Sequence, residues 1–142
     1  NPLPESYDRL GAPGAFNRLC WSMEQDRSAL RIPLPQNRFA RMQLSSPDPT
    51  MNPYIGFTLL IEAALEGIAE NASLESYSVS PDQAKCLPSS MDEALALAQD
   101  STFVRRILPG DAPECFFARA QSFMERSRND PSALAFAQLL RY

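Results

Sequence analysis

The chain has 142 residues, 44% of them hydrophobic and 21% charged, which is enough for one domain with a sizeable core. A net charge of −4 with no basic stripe argues against a nucleic-acid binder. The complete absence of histidine removes Ser/His/Asp and Cys/His catalysis and most zinc sites.

The opening Asn1-Pro2-Leu3-Pro4 offers neither a basic start nor an apolar run, so no signal peptide is read there. It also lacks an initiator Met, and a piece of a longer protein is expected. Residues 1–45 carry six Arg against four acids, whereas residues 46–142 carry seven basic residues against thirteen acids. An anion such as phosphate or carboxylate is therefore sought at the front. Leu19 to Ser22 and Ala29 to Ile32 read as short strands. Arg41 to Ser45 alternates apolar Met42 and Leu44 with polar Gln43 and Ser45, the period-two pattern of a half-buried strand. Eight of the thirteen prolines fall in the first 53 residues, which forbids long helices there.

From Asn52 the pattern turns helical. Asn52 suits an N-cap and Pro53 the first helical position. The helix from Tyr54 to Glu70 is apolar on nearly every side at first, which predicts burial among other elements. Its apolar start, Tyr54 to Ile61, is too short to cross a bilayer. Residues 71–89 read as a loop. Ser90 and Glu93 form a capping box for a helix to Asp100. Ser101 caps another that stops at Pro109-Gly110, and Asp111 with Glu114 caps a longer one to about Arg128. Asp130-Pro131 opens the last, with Leu134, Leu139 and Leu140 on one side. The expected fold is α+β: a few short antiparallel strands within residues 1–46, followed by about five helices. Residues 1–142 are expected to be a single partial domain, with an Arg-rich strand-and-loop segment (1–51) and a helical segment (52–142). Phe116, Phe117 and Phe123 read as helix core. Cys20, Cys86 and Cys115 are odd in number and far apart, which suits a reduced, cytoplasmic setting better than a disulfide framework.

Six arginines lie on the front segment: Arg9, Arg18, Arg27, Arg31, Arg38 and Arg41. On composition alone they read as solvated or paired with Glu5, Asp8, Glu24 and Asp26. Guanidinium groups converging from short strands could instead fork onto a phosphate or carboxylate. Asp48, between Pro47 and Pro49, reads as fixing the strand-to-helix turn through side-chain to backbone bonds rather than as a catalytic acid.

Several segments, in colinear order, resemble the glutamine synthetases. Ser6-Tyr-Asp-Arg-Leu10 is similar to their Asn-Ser-Tyr-Lys-Arg-Leu. Trp21-Ser22, Arg27-Ser-Ala29 and Arg31-Ile-Pro33 follow their Trp/Tyr-Ser, Arg-Ser-Ala and Arg-Ile-Pro. Pro47-Asp-Pro49 with Asn52-Pro-Tyr54, then Tyr77 to Lys85, then Leu87-Pro88 with Glu93-Ala-Leu95 continue the series to about Leu108.

The resemblance implies the C-terminal part of the catalytic domain of an ATP-dependent ligase. Such enzymes form an amide from the side-chain carboxylate of glutamate and ammonia, or another amine, with Mg²⁺ or Mn²⁺. It places Arg27 at the transferring phosphoryl group, Arg9 at the substrate carboxylate, Arg31 at ATP phosphate, and Arg38, also ATP-binding, where the family has a nucleotide-contacting Lys. Gln43 occupies the position of the family's metal-binding Glu, and Ser45 that of a substrate-binding Arg. The segment Leu10 to Asn17 lacks the family's flap Glu. An amide oxygen brings no charge to a cation. The implied partners are ATP, a glutamate-like acid, an amine and other subunits of a ring-like homo-oligomer, with no nucleic acid and no membrane. The isolated piece is expected to be inactive and to bind no cofactor tightly. The alternative is a pseudoenzyme or assembly module that keeps the scaffold. Tyr77 falls where some family members carry an adenylylated tyrosine, and a loop residue packed on its neighbours is the preferred reading.

Overall fold

A computed structural model of the chain describes residues 1–24, 27–34 and 41–129. Helix α1 (Glu5–Gly11) comes first, then strands β1 (Arg18–Ser22), β2 (Ser28–Arg31) and β3 (Gln43–Leu44), in sheet order β1-β2-β3. Helices α2 (Pro53–Ala69), α3 (Met91–Asp100), α4 (Thr102–Ile107) and α5 (Ala112–Asn129) follow, with one 3-10 turn at Leu74–Tyr77 between α2 and α3. The α+β class is as expected, and α2 to α5 stand where their caps place them. The helix expected from Asp130 lies outside the described residues.

Helix α1 was not expected. The prolines of the front segment read as helix breakers, but Pro2 and Pro4 lie ahead of the first turn, where a missing N–H leaves no bond unmade. The turn starts through Ser6 N–H to Leu3 O (3.1 Å) and Tyr7 N–H to Pro4 O (3.0 Å). Strand direction is a second correction. β2 and β3 are antiparallel, as expected, but β1 and β2 run parallel, with Ser22 opposite Arg31. Alternation reports which face a residue takes and is the same in both directions, so it cannot reveal orientation. The outer edge of β1 is covered by residues 84–87: Leu19 N–H donates to Lys85 O (2.8 Å) and Leu87 N–H to Asn17 O (2.7 Å). That contact closes one edge of the sheet to foreign strands.

The helix ends are fixed by local side-chain bonds. Asn52 Oδ1 accepts from Tyr54 N–H (3.0 Å) and Ile55 N–H (3.3 Å) at the start of α2. Its other end is a Schellman closure. Asn71 takes a left-handed φ of 51°, Ala72 N–H reaches Gly67 O (2.9 Å) and Asn71 N–H reaches Ile68 O (3.1 Å). Ser90 Oγ accepts from Glu93 N–H (3.2 Å), and the Glu93 carboxylate accepts from Ser89 N–H (2.8 Å). Ser101 Oγ accepts from Val104 N–H (3.3 Å) at α4.

The core joins the first described helix to the last. Tyr7 and Leu10 of α1 are buried with Met91 and Leu95 of α3 and Phe117, Phe123 and Met124 of α5. Phe117 and Phe123 lie in that core as expected, while Phe116 is partly exposed and meets Phe117 edge-on at 6.1 Å. Beside it lies an open apolar cavity of about 570 Å³, bordered by Met51, Ile55, Leu59, Leu95, Val104 and Phe117. Helix α2 lends only its inner side to this layer. None of its residues is buried, against the burial its composition predicts. Apolarity all round a helix signals that a cover is wanted, not that this stretch of chain supplies it.

Candidate functional site

The sheet builds the most site-like feature. Ser22, Arg31 and Gln43 stand opposite one another across β1, β2 and β3. Residues opposite in register share a face, with Cβ atoms typically ~4.5–5.5 Å apart. Period-two strands thus set a guanidinium beside a carboxamide at the end of the sheet, just before the turn that launches α2. The Arg31 Nε–H is buried and has no hydrogen-bond partner among the described residues. A buried, unanswered guanidinium donor is costly, and an anion placed there would relieve it.

Two other predicted arginines are engaged within the chain. Arg9, in the last turn of α1, donates from Nη1 to Ser45 O (3.0 Å) and from Nη2 to Ser46 O (2.9 Å) and Pro47 O (3.5 Å). Arg27 pairs with Asp82, and both side chains are solvent-exposed. Such an exposed pair contributes about 1 kcal/mol or less, so an incoming phosphate could displace the carboxylate cheaply. Arg38 lies outside the described residues. Arg18 spans the sheet edge, its Nη1 donating to Ala84 O (3.2 Å). The structure therefore places Arg31 beside Gln43, and Arg9 on the backbone of Ser45 to Pro47.

The Pro47-Asp48-Pro49 turn is held from several sides. Asp48 Oδ1 accepts from Thr50 N–H (2.7 Å) and from the Thr50 hydroxyl. This is the turn-fixing role read from sequence. Asn1 was not singled out, yet its side chain completes the arrangement: Nδ2 donates to Ser46 O (2.9 Å) and Oδ1 accepts from Asp48 N–H (3.0 Å). Burial pushes the Asp48 carboxyl up. Hydrogen bonds from Ser6 and Thr50 outweigh it and hold the carboxyl below its ordinary value. Asp82 was likewise missed as the partner of Arg27. It is 55 residues away, and a pairing at that distance leaves no periodic signal.

Among the described residues no three His, Cys, Asp or Glu side chains gather at one place. Gln43 offers one neutral oxygen, and Arg31 is its cross-strand neighbour. Mg²⁺ and Mn²⁺ favour an octahedron of oxygens with carboxylate charge, so the described residues do not by themselves fit a divalent cation. They fit a phosphate better. No described helix is long and apolar enough to cross a membrane.

The model of the family described as "Glutamine synthetase, catalytic domain" matches residues 1–139. The chain is 33% identical to a glutamine synthetase of Methanosarcina mazei, over 76% of this chain and 27% of that protein. It is 32% identical to a glutamine synthetase of Salmonella typhimurium, over 96% of this chain and 32% of that one. A 3-hydroxylaminophenol mutase of Cupriavidus pinatubonensis is 34% identical over 75% of this chain and 25% of its own length. The chain thus spans about a quarter to a third of the curated relatives it matches. With a match over nearly its whole length, the chain belongs to the glutamine synthetase family, within the catalytic domain.

Proposed function

We propose that the chain is the C-terminal portion of the catalytic domain of an ATP-dependent ligase that joins the side-chain carboxylate of glutamate, or a similar acid, to ammonia or another amine. The observation that carries this reading is the Arg31–Gln43 pair on one sheet face, ahead of a preserved Pro-Asp-Pro/Asn-Pro-Tyr turn. In such a reaction a carboxylate oxygen attacks the terminal phosphorus of ATP, and ADP leaves. The amine then attacks the acyl carbon, and phosphate departs with the electrons of the C–O bond and takes up the proton that the amine nitrogen loses. Arg31 answers the negative charge on phosphate, and Gln43 orients a polar group beside it without adding charge. Arg27, once free of Asp82, approaches the transferring group, and Arg38 is assigned to the nucleotide. Arg9 is assigned to the substrate carboxylate, which must compete with the carbonyls of Ser45 to Pro47 for its fork. A divalent cation, when bound, would neutralise charge on the phosphates, and most of its ligands would come from elsewhere in a longer chain. The same setting makes cytoplasmic, ring-forming assembly part of the proposal.

A second reading, a non-catalytic scaffold, is favoured by Gln43 itself and by the internal engagement of Arg9 and Arg27. The two are separated by phosphate release from ATP, measured on the full parent protein with glutamate and a series of amines. Release that needs both acid and amine, and falls at least tenfold in Arg31→Met, supports the ligase. Silence in the parent, unchanged in Gln43→Glu, supports the scaffold. The 142-residue chain alone is expected to release no phosphate above a blank.

A further inference from the structure

Asp82 meets Arg27 across 55 residues, and more than their own charges brings them together. Residues 80–84 form a tight turn in which the Gln83 and Ala84 N–H groups both donate to Ser80 O, at 2.9 and 3.0 Å. Asp82 stands within that turn. Ala84, at its exit, is buried. The residues after it are stitched to β1 by Leu19 N–H to Lys85 O and by Leu87 N–H to Asn17 O. Arg18 fastens both sides of the pair. Its backbone N–H donates to Arg27 O (2.9 Å), and its Nη1 donates to Ala84 O (3.2 Å). The backbone thus presents the Asp82 carboxylate to the Arg27 guanidinium, and the meeting is not left to two long side chains.

What a guanidinium takes from a carboxylate it also takes from a phosphate: two oxygens, side by side, that accept from two N–H groups. Asp82 therefore stands where the oxygens of an incoming phosphate would bind Arg27. The pair is not what holds the turn. Arg27 is 42% and Asp82 79% exposed, and an ion pair in that setting adds little stability. The backbone bonds at Asn17, Leu19, Lys85 and Leu87 fix the segment without it. What the carboxylate does instead is take up donors that an anion needs.

We propose that Asp82 is an internal competitor for the phosphate group that Arg27 faces. The carboxylate holds the guanidinium while the site is empty, yields it when phosphate arrives and takes it back as phosphate leaves. The inference rests on the assignment of Arg27 to phosphate in the ligase reading. An exposed ion pair of ordinary strength lowers the affinity of a competing anion by about two- to sixfold.

The test is binding of inorganic tripolyphosphate to the full parent protein by calorimetry, without divalent cation, acid or amine, so that no turnover is needed. Asp82→Asn, which keeps the size of the side chain and removes its charge, should bind about two- to sixfold tighter than the wild type. Asp82→Glu, which keeps a carboxylate within reach, should bind like the wild type. Arg27→Met should bind more weakly, and in that background Asp82→Asn should bring no further gain. If Asp82→Asn binds no tighter while Arg27→Met binds more weakly, the proposal is overturned and the assignment of Arg27 stands. Binding indifferent to Arg27→Met, or absent from every variant, overturns both. A gain from Asp82→Asn that persists in full without Arg27 overturns the proposal as well, since the acid then acts only as a general negative charge. The ligase reading falls separately, on the absence of phosphate release from ATP with acid and amine.

Discussion

The turn over residues 45–50 and helix α2 adjoin in sequence but are held by opposite means. Beside the local Asp48–Thr50 bonds, the turn is fastened by polar bonds from afar: the Arg9 fork and the Asn1 carboxamide reach it across 36 to 47 residues. Helix α2 is fastened at its two ends by its own neighbours, Asn52 and Asn71, and along its outer side by no described residue. The turn owes its shape to chain that is distant in sequence and present. The helix owes its existence to local capping and leaves its apolar payload unspent. Conformation and burial are thus separate outcomes, and one stretch of chain can have the first without the second.

Three experiments would sharpen or break this contrast. The largest effect is expected in the shared core, which anchors α1, and with it Arg9, to the helical layer. Phe117→Ala should cost about 3–5 kcal/mol in urea unfolding and should speed amide exchange at Ser45 and Asp48, whose shape depends on α1. An unchanged exchange rate at those amides would show that the turn stands without its distant support. Asn52→Ala should cost about 1 kcal/mol, the usual value of a helix N-cap, and should leave the turn intact. If Asp48 also loses protection, the two regions are one unit after all.

The smallest effect concerns pH. The Asp48 carboxyl is held below its ordinary value of 3.8 in the fold. Its contribution is therefore complete above that value and lost as pH falls through the lower, folded value. Stabilities of the wild type and Asp48→Asn, measured from neutral pH downward, should differ by a constant amount and converge only below about 3.8. A gap that closes near neutrality would point to another titrating group.

Much of the fold was legible where the signal was local. Asn52, Ser90 with Glu93, and Ser101 cap the helices they announce, because a capping bond joins residues two or three apart. The junction at Pro47 to Tyr54 was legible as a family feature, and the Asp48 bonds bear out its structural role. What escaped notice required knowledge of distance or direction. The parallel run of β1 and β2 has the same alternation as an antiparallel one. Arg27 meets Asp82 because the chain brings residues 84–87 back along β1. Helix α1 was hidden by prolines that sit ahead of it instead of within it.

The shared core of Tyr7, Leu10, Phe117 and Phe123 also sets a clock. Tyr7 and Phe123 lie 116 positions apart, so the seat of α1 is complete only once α5 has been made. At roughly 5–20 residues per second, synthesis keeps the first helix waiting for some 5–20 s. Closing so long a loop is slow after that. During this interval the fork of Arg9 and the turn it will hold are strangers, and a nascent chain is at its most exposed to proteases and chaperones just where its most family-like residues lie.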